Sequence, residues 1–513
     1  MDEIPAGVSI SPSKVTTPRP SSSVMISRLN HKSYEILLGH RVSELPSFPD
    51  IWSFPGGGVS WVDKKNAELH PSLLSGRKER IQIFTLLREM AEELGISPDG
   101  NGGFLELDAE TREVVCLDKQ GWGEALGSEK IDIDGFDCEV ITERVTPPQA
   151  PYRFHNLFFH THIGDSRVIP SFPPGRSEFD EFRWWTPSTL ISSWERNEIR
   201  LPPPIITILR DLLNEMEEDG DLLEACGVLA SDPPSGTHRY EYGPGVECIL
   251  IPTETLPPAT HTNCYILGER GGQRVIIDPA VRDRRGLEIL ADKVDEIKSD
   301  HSKIVATIFT HKHKDHIGDI GMISEIYDAP IRATEETLSE IIEDVPVRFL
   351  SEGELVTLDG PNGSIEWKVI ETPGHCPGQI CLVGDAGIVS ADNCTSVGTI
   401  LIPSADGDMG SYILGLEKLR SLDPNVLFPG HGPLIPNPKR VLTEYIDHRI
   451  ERREKVLQAI ISGAKSIEQI TKIAYSGDKD AHPLLARDQA LSHIKELLSS
   501  EKIRKVGEQY EST

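Results

Sequence analysis

Thr310–Asp319 reads THKHKDHIGD and completes the apolar run Ile304–Thr310, IVATIFT. A run of that kind is a buried strand, and the polar cluster then falls on the loop leaving its carboxyl end, where α/β sheets place their chemistry. Four potential metal ligands, His311, His313, Asp315 and His316, fall within six residues. Imidazole with carboxylate suits zinc, manganese or iron, and the close spacing forces the side chains into one small volume. A catalytic metal needs about three protein ligands plus a water. Four ligands in this stretch point to two metals.

The pattern T-H-x-H-x-D-H resembles that of the metallo-β-lactamase superfamily at every defined position. The resemblance implies further positions, and each is found in order. RVIIDPA supplies Asp278 as the structural aspartate, TPGHCPGQ supplies His375, SADNC supplies Asp392 after the apolar run Gly387 to Val389, and FPGHGP supplies His431. By resemblance, His311, His313 and His375 hold a first zinc, Asp315, His316 and His431 a second, and Asp392 bridges them. Asp315 is placed in the catalytic set as well. A single His or Asp on a loop is usually solvated or capping, but seven in this order and spacing are not coincidence.

Two metals about 3.5–4 Å apart share a water, lower its pKa toward neutrality and present hydroxide to a carbonyl or phosphoryl centre. No Ser or Cys nucleophile is then needed. Cys376, beside His375, has no evident base and reads as a small turn residue. Within the superfamily, Asp392 and His431 are 39 positions apart, too few for the inserted domain of messenger-RNA cleavage nucleases. FPGHGPLIPNP lacks the basic and tyrosyl residues of glutathione-thioester hydrolases, and di-iron flavoproteins carry a carboxylate where this chain has His313. Hydrolysis is therefore preferred over redox chemistry.

With 513 residues the chain has room for two to four domains. No apolar run reaches about 18 residues, so no membrane span is expected. The amino terminus, MDEIPAGVSISPSKVTTPRPSSS, starts acidic, has no apolar h-region and reads as a flexible tail rather than a signal. Eight cysteines without C-x-x-C pairs read as thiols in a reducing compartment, the cytoplasm by default. A net charge of −29 repels nucleic-acid phosphates unless a local basic patch overrides it.

Upstream, Val24 to Arg41 reads as two short strands about a turn at Asn30 to Lys32, and Arg77 to Leu94 as an amphipathic helix ending in REMAEELGI. Glu89, Glu92 and Glu93 then project from one face, a cluster that needs cations and suits magnesium. Arg88 to Ile96 resembles the second half of the Nudix box at every fixed position, with Gly56 to Gly58 as its opening glycines. The chain departs from that pattern by about 16 inserted residues, Trp61 to Gly76, and by Arg80 at a glutamate position, with Glu79 adjacent. Such an insertion is similar to Nudix proteins related to coenzyme A diphosphatases. The resemblance implies either magnesium-dependent cleavage of a nucleoside diphosphate or a retained recognition or dimerisation module.

Downstream, Val441 to Ile461, SIEQITKIAY with Ser466 as cap, and Ala486 to Leu498 read as helices, and EKIRKV as a hairpin arm. They resemble the winged-helix extension of the β-lactamase-like protein 2 branch of the superfamily, with His448 and Arg449 near the cleft. The expected class is α/β: a flexible tail (1–24), a Nudix-like α/β/α sandwich (25–215), a linker (216–244), an αββα metallo-β-lactamase fold (245–437) and a winged-helix module (438–513). The expected function is a two-zinc hydrolase of an acyl thioester or related ester, with magnesium at the Nudix-like domain. The alternatives are a single-strand-specific endoribonuclease of the same branch and a non-catalytic binding protein. A small-molecule or acyl-thioester substrate, RNA and a homodimer are the candidate partners.

Overall fold

A computed structural model describes residues 14–45, 48–117, 120–127, 131–133, 135–164, 168–235, 240–341, 345–478 and 481–513. The described chain folds as two compact units, Thr16–Glu241 and Tyr242–Thr513. No helix among the described residues is long and apolar enough to cross a membrane.

In the amino-terminal unit a seven-stranded sheet runs in the order Trp52–Ser53, Ser33–Arg41, Arg19–Asn30, Phe154–His162, Glu139–Val145. Gly56–Gly58 pairs with Arg19–Asn30, and Phe179–Trp185 with Ser33–Arg41. Successive residues of a strand point to opposite faces. Val24 and Ile26 accordingly enter a core shared with Phe84, Leu87 and Met90, while Met25, Ile36 and Leu38 enter a second core with Leu190, Leu209 and Cys226. Helices cover both faces, and that is why these strands read as continuous apolar runs rather than alternating ones.

Several expectations are corrected here. The tail does not extend to residue 24: Arg19 already pairs with Phe154, and only residues 1–13 lie outside the described set. Its serines are held, Ser21 Oγ donating to Asn156 Oδ1 at 2.9 Å and Ser22 Oγ to the Gln82 carbonyl at 2.8 Å. Composition alone could not show those partners. The helix Arg77–Leu94 is an α-helix over Arg80–Glu89 followed by a π turn over Met90–Leu94, closed by Gly95 at φ 68°. The stretch 216–244, read as a linker with a short helix around Leu222 to Leu229, carries that helix as Leu222–Ser231 under an Asp221 cap, and its Leu222, Ala225, Cys226 and Leu229 are not free but complete the second core.

The carboxyl-terminal unit holds two sheets. The first is ordered Tyr240–Gly243, Val246–Pro252, His261–Leu267, Gln273–Ile277, Lys303–Ile308, Ile331–Ala333, Val347–Phe349. The second is ordered Leu355–Gly360, Gly363–Glu371, Ile380–Gly384, Gly387–Ala391, Leu427–Pro429. Asn263 Nδ2 and Tyr265 Oη both donate to the Pro429 carbonyl and tie one sheet to the other. Helix Arg284–Ser299 packs on the first sheet and Met409–Ser421 on the second. Two short helices, Lys314–Ile317 and Ile320–Ser324, follow the strand Lys303–Ile308. Pro438–Ile461 starts in the core of the second sheet through Leu442 and Ile446 and ends in a separate core with Ile467–Ala474, Pro483–Ser499 and the hairpin Ile503–Val506/Gln509–Ser512.

One buried charge cluster fastens the first sheet to its helix. Glu247 faces Arg274 Nη1 at 3.0 Å and the Lys293 ammonium, and all three are nearly inaccessible to water. Removing the carboxylate leaves two buried cations, so Glu247→Ala should destabilise this unit by about 3–5 kcal/mol. A thermal or urea melt checks this, and an unchanged midpoint contradicts it.

Candidate metal centre

The strand Lys303–Ile308 ends among buried side chains, and the next residues cannot continue it because their backbone is captured. Thr310 N–H donates to Asp278 Oδ1 at 2.8 Å and Thr310 Oγ1 to Asp278 Oδ2 at 2.6 Å. Asp278, just past the strand Gln273–Ile277, also pairs with His316 Nδ1 at 2.9 Å. One carboxylate therefore shapes the loop and turns an imidazole. His313 caps the short helix Lys314–Ile317, which presents Asp315 and His316 inward. His375 follows the strand Gly363–Glu371, Asp392 follows Gly387–Ala391, and His431 follows Leu427–Pro429.

All seven side chains converge. Ligand atoms of His311, His313 and His375 lie within 4.8 Å of one another, as do those of Asp315, His316 and His431. His375 Nε2 is 2.9 Å from His313 Nδ1, and His316 Nε2 is 3.3 Å from His431 Nε2. Asp392 stands between the sets: its Oδ2 is 3.7 Å from His375 Nε2 and 3.5 Å from His431 Nε2, and its Oδ1 is 3.5 Å from His316 Nε2. Gly430 is required by this approach, since a Cβ there would lie 2.3 Å from Asp392 Oδ1.

The electrostatics call for a cation. Burial, then the neighbouring His316 and His313 rings, push His311 well below its ordinary pKa, and burial with His375 pushes His313 down to about 3. Burial works against charging His431 and His316 too, but Asp392 overrides it and lifts His431 to about 10 and His316 well above normal. Burial raises the Asp392 carboxyl, and His431 and His316 more than reverse that. Asp315 Oδ2 and Asp392 Oδ1 face imidazole nitrogens at 3.4 and 3.5 Å, from His431 and His316, whereas His311 Nε2 is buried without a hydrogen-bond partner. Such an atom is rare in folded proteins unless an ion or water meets it. Neutral His311 and His313, the carboxylate-paired His316 and His431, and the carboxylates themselves together form a donor set that fits a divalent metal of the zinc, manganese or iron kind.

Two far ring nitrogens are fixed by backbone: His375 Nδ1 by the Leu401 carbonyl at 2.8 Å and His431 Nδ1 by the His261 carbonyl at 3.0 Å. No local pattern marks Leu401 or His261 in the sequence. Cys376 is buried, and burial raises its thiol, so it stays protonated. Arg449 does not touch the seven residues and instead bonds Thr399 Oγ1 and the Ile400 carbonyl. His448 is lowered by burial and the adjacent Arg449.

In the amino-terminal unit the three glutamates separate. Arg88 holds Glu89 and Glu92, each at 2.8 Å, and Asp63 at 2.8 Å, while Glu93 Oε2 accepts from Gly56 N–H at 3.0 Å. Burial raises Glu89, and burial with Glu89 and Glu178 raises Glu93. Glu92 is turned to the guanidinium, so the full set does not fit one magnesium, and no three-residue ligand group occurs here among the described residues. Arg80, at the glutamate position, ties the inserted segment by donating to the Leu73 and His70 carbonyls. Asp63 escapes the sequence reading, although Ser60-x-x-Asp63 is a readable capping box.

Residues 257–431 match the family model of the Metallo-beta-lactamase superfamily. A beta-lactamase-like protein 2 homolog of Drosophila melanogaster is 28% identical over 39% of this chain and 68% of its own length. An atrochrysone carboxyl ACP thioesterase of Aspergillus fumigatus is 27% identical over 39% of this chain and 59% of its own length. A solved NUDIX hydrolase from Alicyclobacillus acidocaldarius is 22% identical at TM-score 0.33, over 39% of this chain and 93% of that one, a likeness that decides nothing.

Gly430→Ala should force Asp392 aside at a cost of about 1–3 kcal/mol. Elemental analysis of the purified variant should then find less metal per chain than in the wild type, and equal loading would contradict this account of Gly430.

Proposed function

We propose that the carboxyl-terminal unit is a hydrolase that holds two zinc ions and cleaves an acyl thioester. The observation that carries the reading is the convergence of five imidazoles and two carboxylates on one buried point, with Asp392 reaching both sets. In this reading His311, His313 and His375 bind the first ion, Asp315, His316 and His431 the second, and Asp392 both. When bound, such a pair lowers the pKa of a shared water and polarises the carbonyl under attack.

The chain's own residues do the rest. Asp278 and the Leu401 and His261 carbonyls turn His316, His375 and His431 so that each presents Nε2 to the centre. Asp315, grouped with His316 and His431, would help hold the second cation and would be the carboxylate placed to accept a proton from a nearby water. The buried walls hold the rings neutral or paired and keep bulk solvent out. The thioester assignment is supported by the thioesterase relative and rests on that analogy. The amino-terminal unit is read as a Nudix-like module that recognises a nucleotide-bearing handle such as coenzyme A, with Glu89 and Glu92 serving the fold through Arg88 and Glu93 through Gly56 N–H. The last three helices and hairpin are read as a winged helix, and the eight unpaired cysteines favour a reducing compartment.

A screen of acyl-coenzyme A and acyl-carrier thioesters beside a labelled RNA oligomer should show thioester loss only. Chelator treatment and His311→Ala should reduce it to the same residual rate, with zinc restoring the chelated wild type and not the variant. RNA turnover without thioester loss would overturn the substrate class.

A further inference from the structure

Of the backbone and carboxylate groups that fix the far ring nitrogens, Asp278 and His261 stand at the ends of strands, whereas Leu401 lies in the long irregular stretch between Gly387–Ala391 and Met409–Ser421. A carbonyl in such a stretch orients nothing unless the stretch itself is held. Side chains of the last helices hold it. Arg449 donates to Thr399 Oγ1 at 3.1 Å and to the Ile400 carbonyl, one residue before Leu401. Gln489 brackets the residue after it, accepting from Ile402 N–H at 3.3 Å and donating to its carbonyl at 2.7 Å. Ser492 Oγ donates to the same carbonyl at 2.7 Å. Asp488 and Lys495 secure Ser404 further on. Residues 488, 492 and 495 follow the helical repeat, so one face of Pro483–Ser499 is given over to this stretch. Arg449, Gln489 and Ser492 are themselves buried.

We propose that Arg449, Gln489 and Ser492 are positioning residues for His375: by clamping residues 399–402 they hold the Leu401 carbonyl on His375 Nδ1 and so set how tightly the centre binds metal. The proposal rests on the reading of His375 as a metal donor. The clamping face of the carboxyl-terminal helices is then part of the metal site's outer shell, and removing its hydrogen bonds to residues 399–402 weakens the site without touching a ligand. Partners at this remove from a metal are worth about 10–100-fold in affinity.

The test uses the full-length protein loaded with zinc or cobalt(II). Gln489→Leu/Ser492→Ala should weaken zinc affinity about 10–100-fold in competition with a chelator and shift the visible bands of the cobalt form. Ile470→Ala, in the separate core of the same helices, should lower the melting temperature and leave affinity and bands as they are. Should the double variant not fold, Ser492→Ala alone carries the test with a smaller shift in the same direction, and Arg449→Lys should retain more affinity than Arg449→Ala. Folded variants with wild-type affinity and spectrum would overturn the clamp. A wild-type protein that binds neither ion would overturn the metal reading itself, a distinguishable failure.

Discussion

Asp315 and Asp392 are carboxylates withdrawn from water, and an uncompensated buried charge of that kind costs several kcal/mol. Without a cation, positive charge beside them comes, among the described residues, from His316 and His431, whose pKa values Asp392 raises against burial. His311 and His313 stay neutral beside them. A divalent ion resolves both conditions at once, matching the carboxylates and using the lone pairs that proton binding would consume. The charge arrangement is therefore more than a collection of polar residues in a cleft.

That arrangement survives because the donors come from strand ends of two sheets that are fastened together. Asn263 and Tyr265 anchor the Pro429 carbonyl immediately before the turn that carries His431, and Gly430 lets that turn pass against Asp392. The donors come from several separate segments, yet each far ring nitrogen that the structure fixes is held by a group whose own position is secured elsewhere. The amino-terminal unit shows a different use of charge. There Arg88 gathers Asp63, Glu89 and Glu92 into a buried cluster, so acidic residues that look like ligands in the sequence serve as structural counter-charges.

The metal centre was legible because its chemistry is concentrated: four donors in THKHKDHIGD, and the rest each in a short Gly- or Asp-bearing turn after an apolar run. The fold around it was legible where apolar periodicity was strong, as in Arg284–Ser299. Legibility failed where partners lie far along the chain. The Ser-rich start of Arg19–Asn30 gives no hint of Asn156 or Gln82. The π turn at Met90–Leu94 breaks the periodicity that put three glutamates on one face. Leu401 matters through its carbonyl alone, which no residue type can announce.

The central claim is that these seven side chains hold two cations bridged by Asp392. Anomalous scattering at the zinc edge from crystals of the zinc-loaded protein tests it most directly. The account predicts two peaks about 3.5–4 Å apart, one among His311, His313 and His375 and one among Asp315, His316 and His431, with Asp392 reaching both. A single peak, or none within reach of Asp392 in protein that has been given zinc, would contradict it.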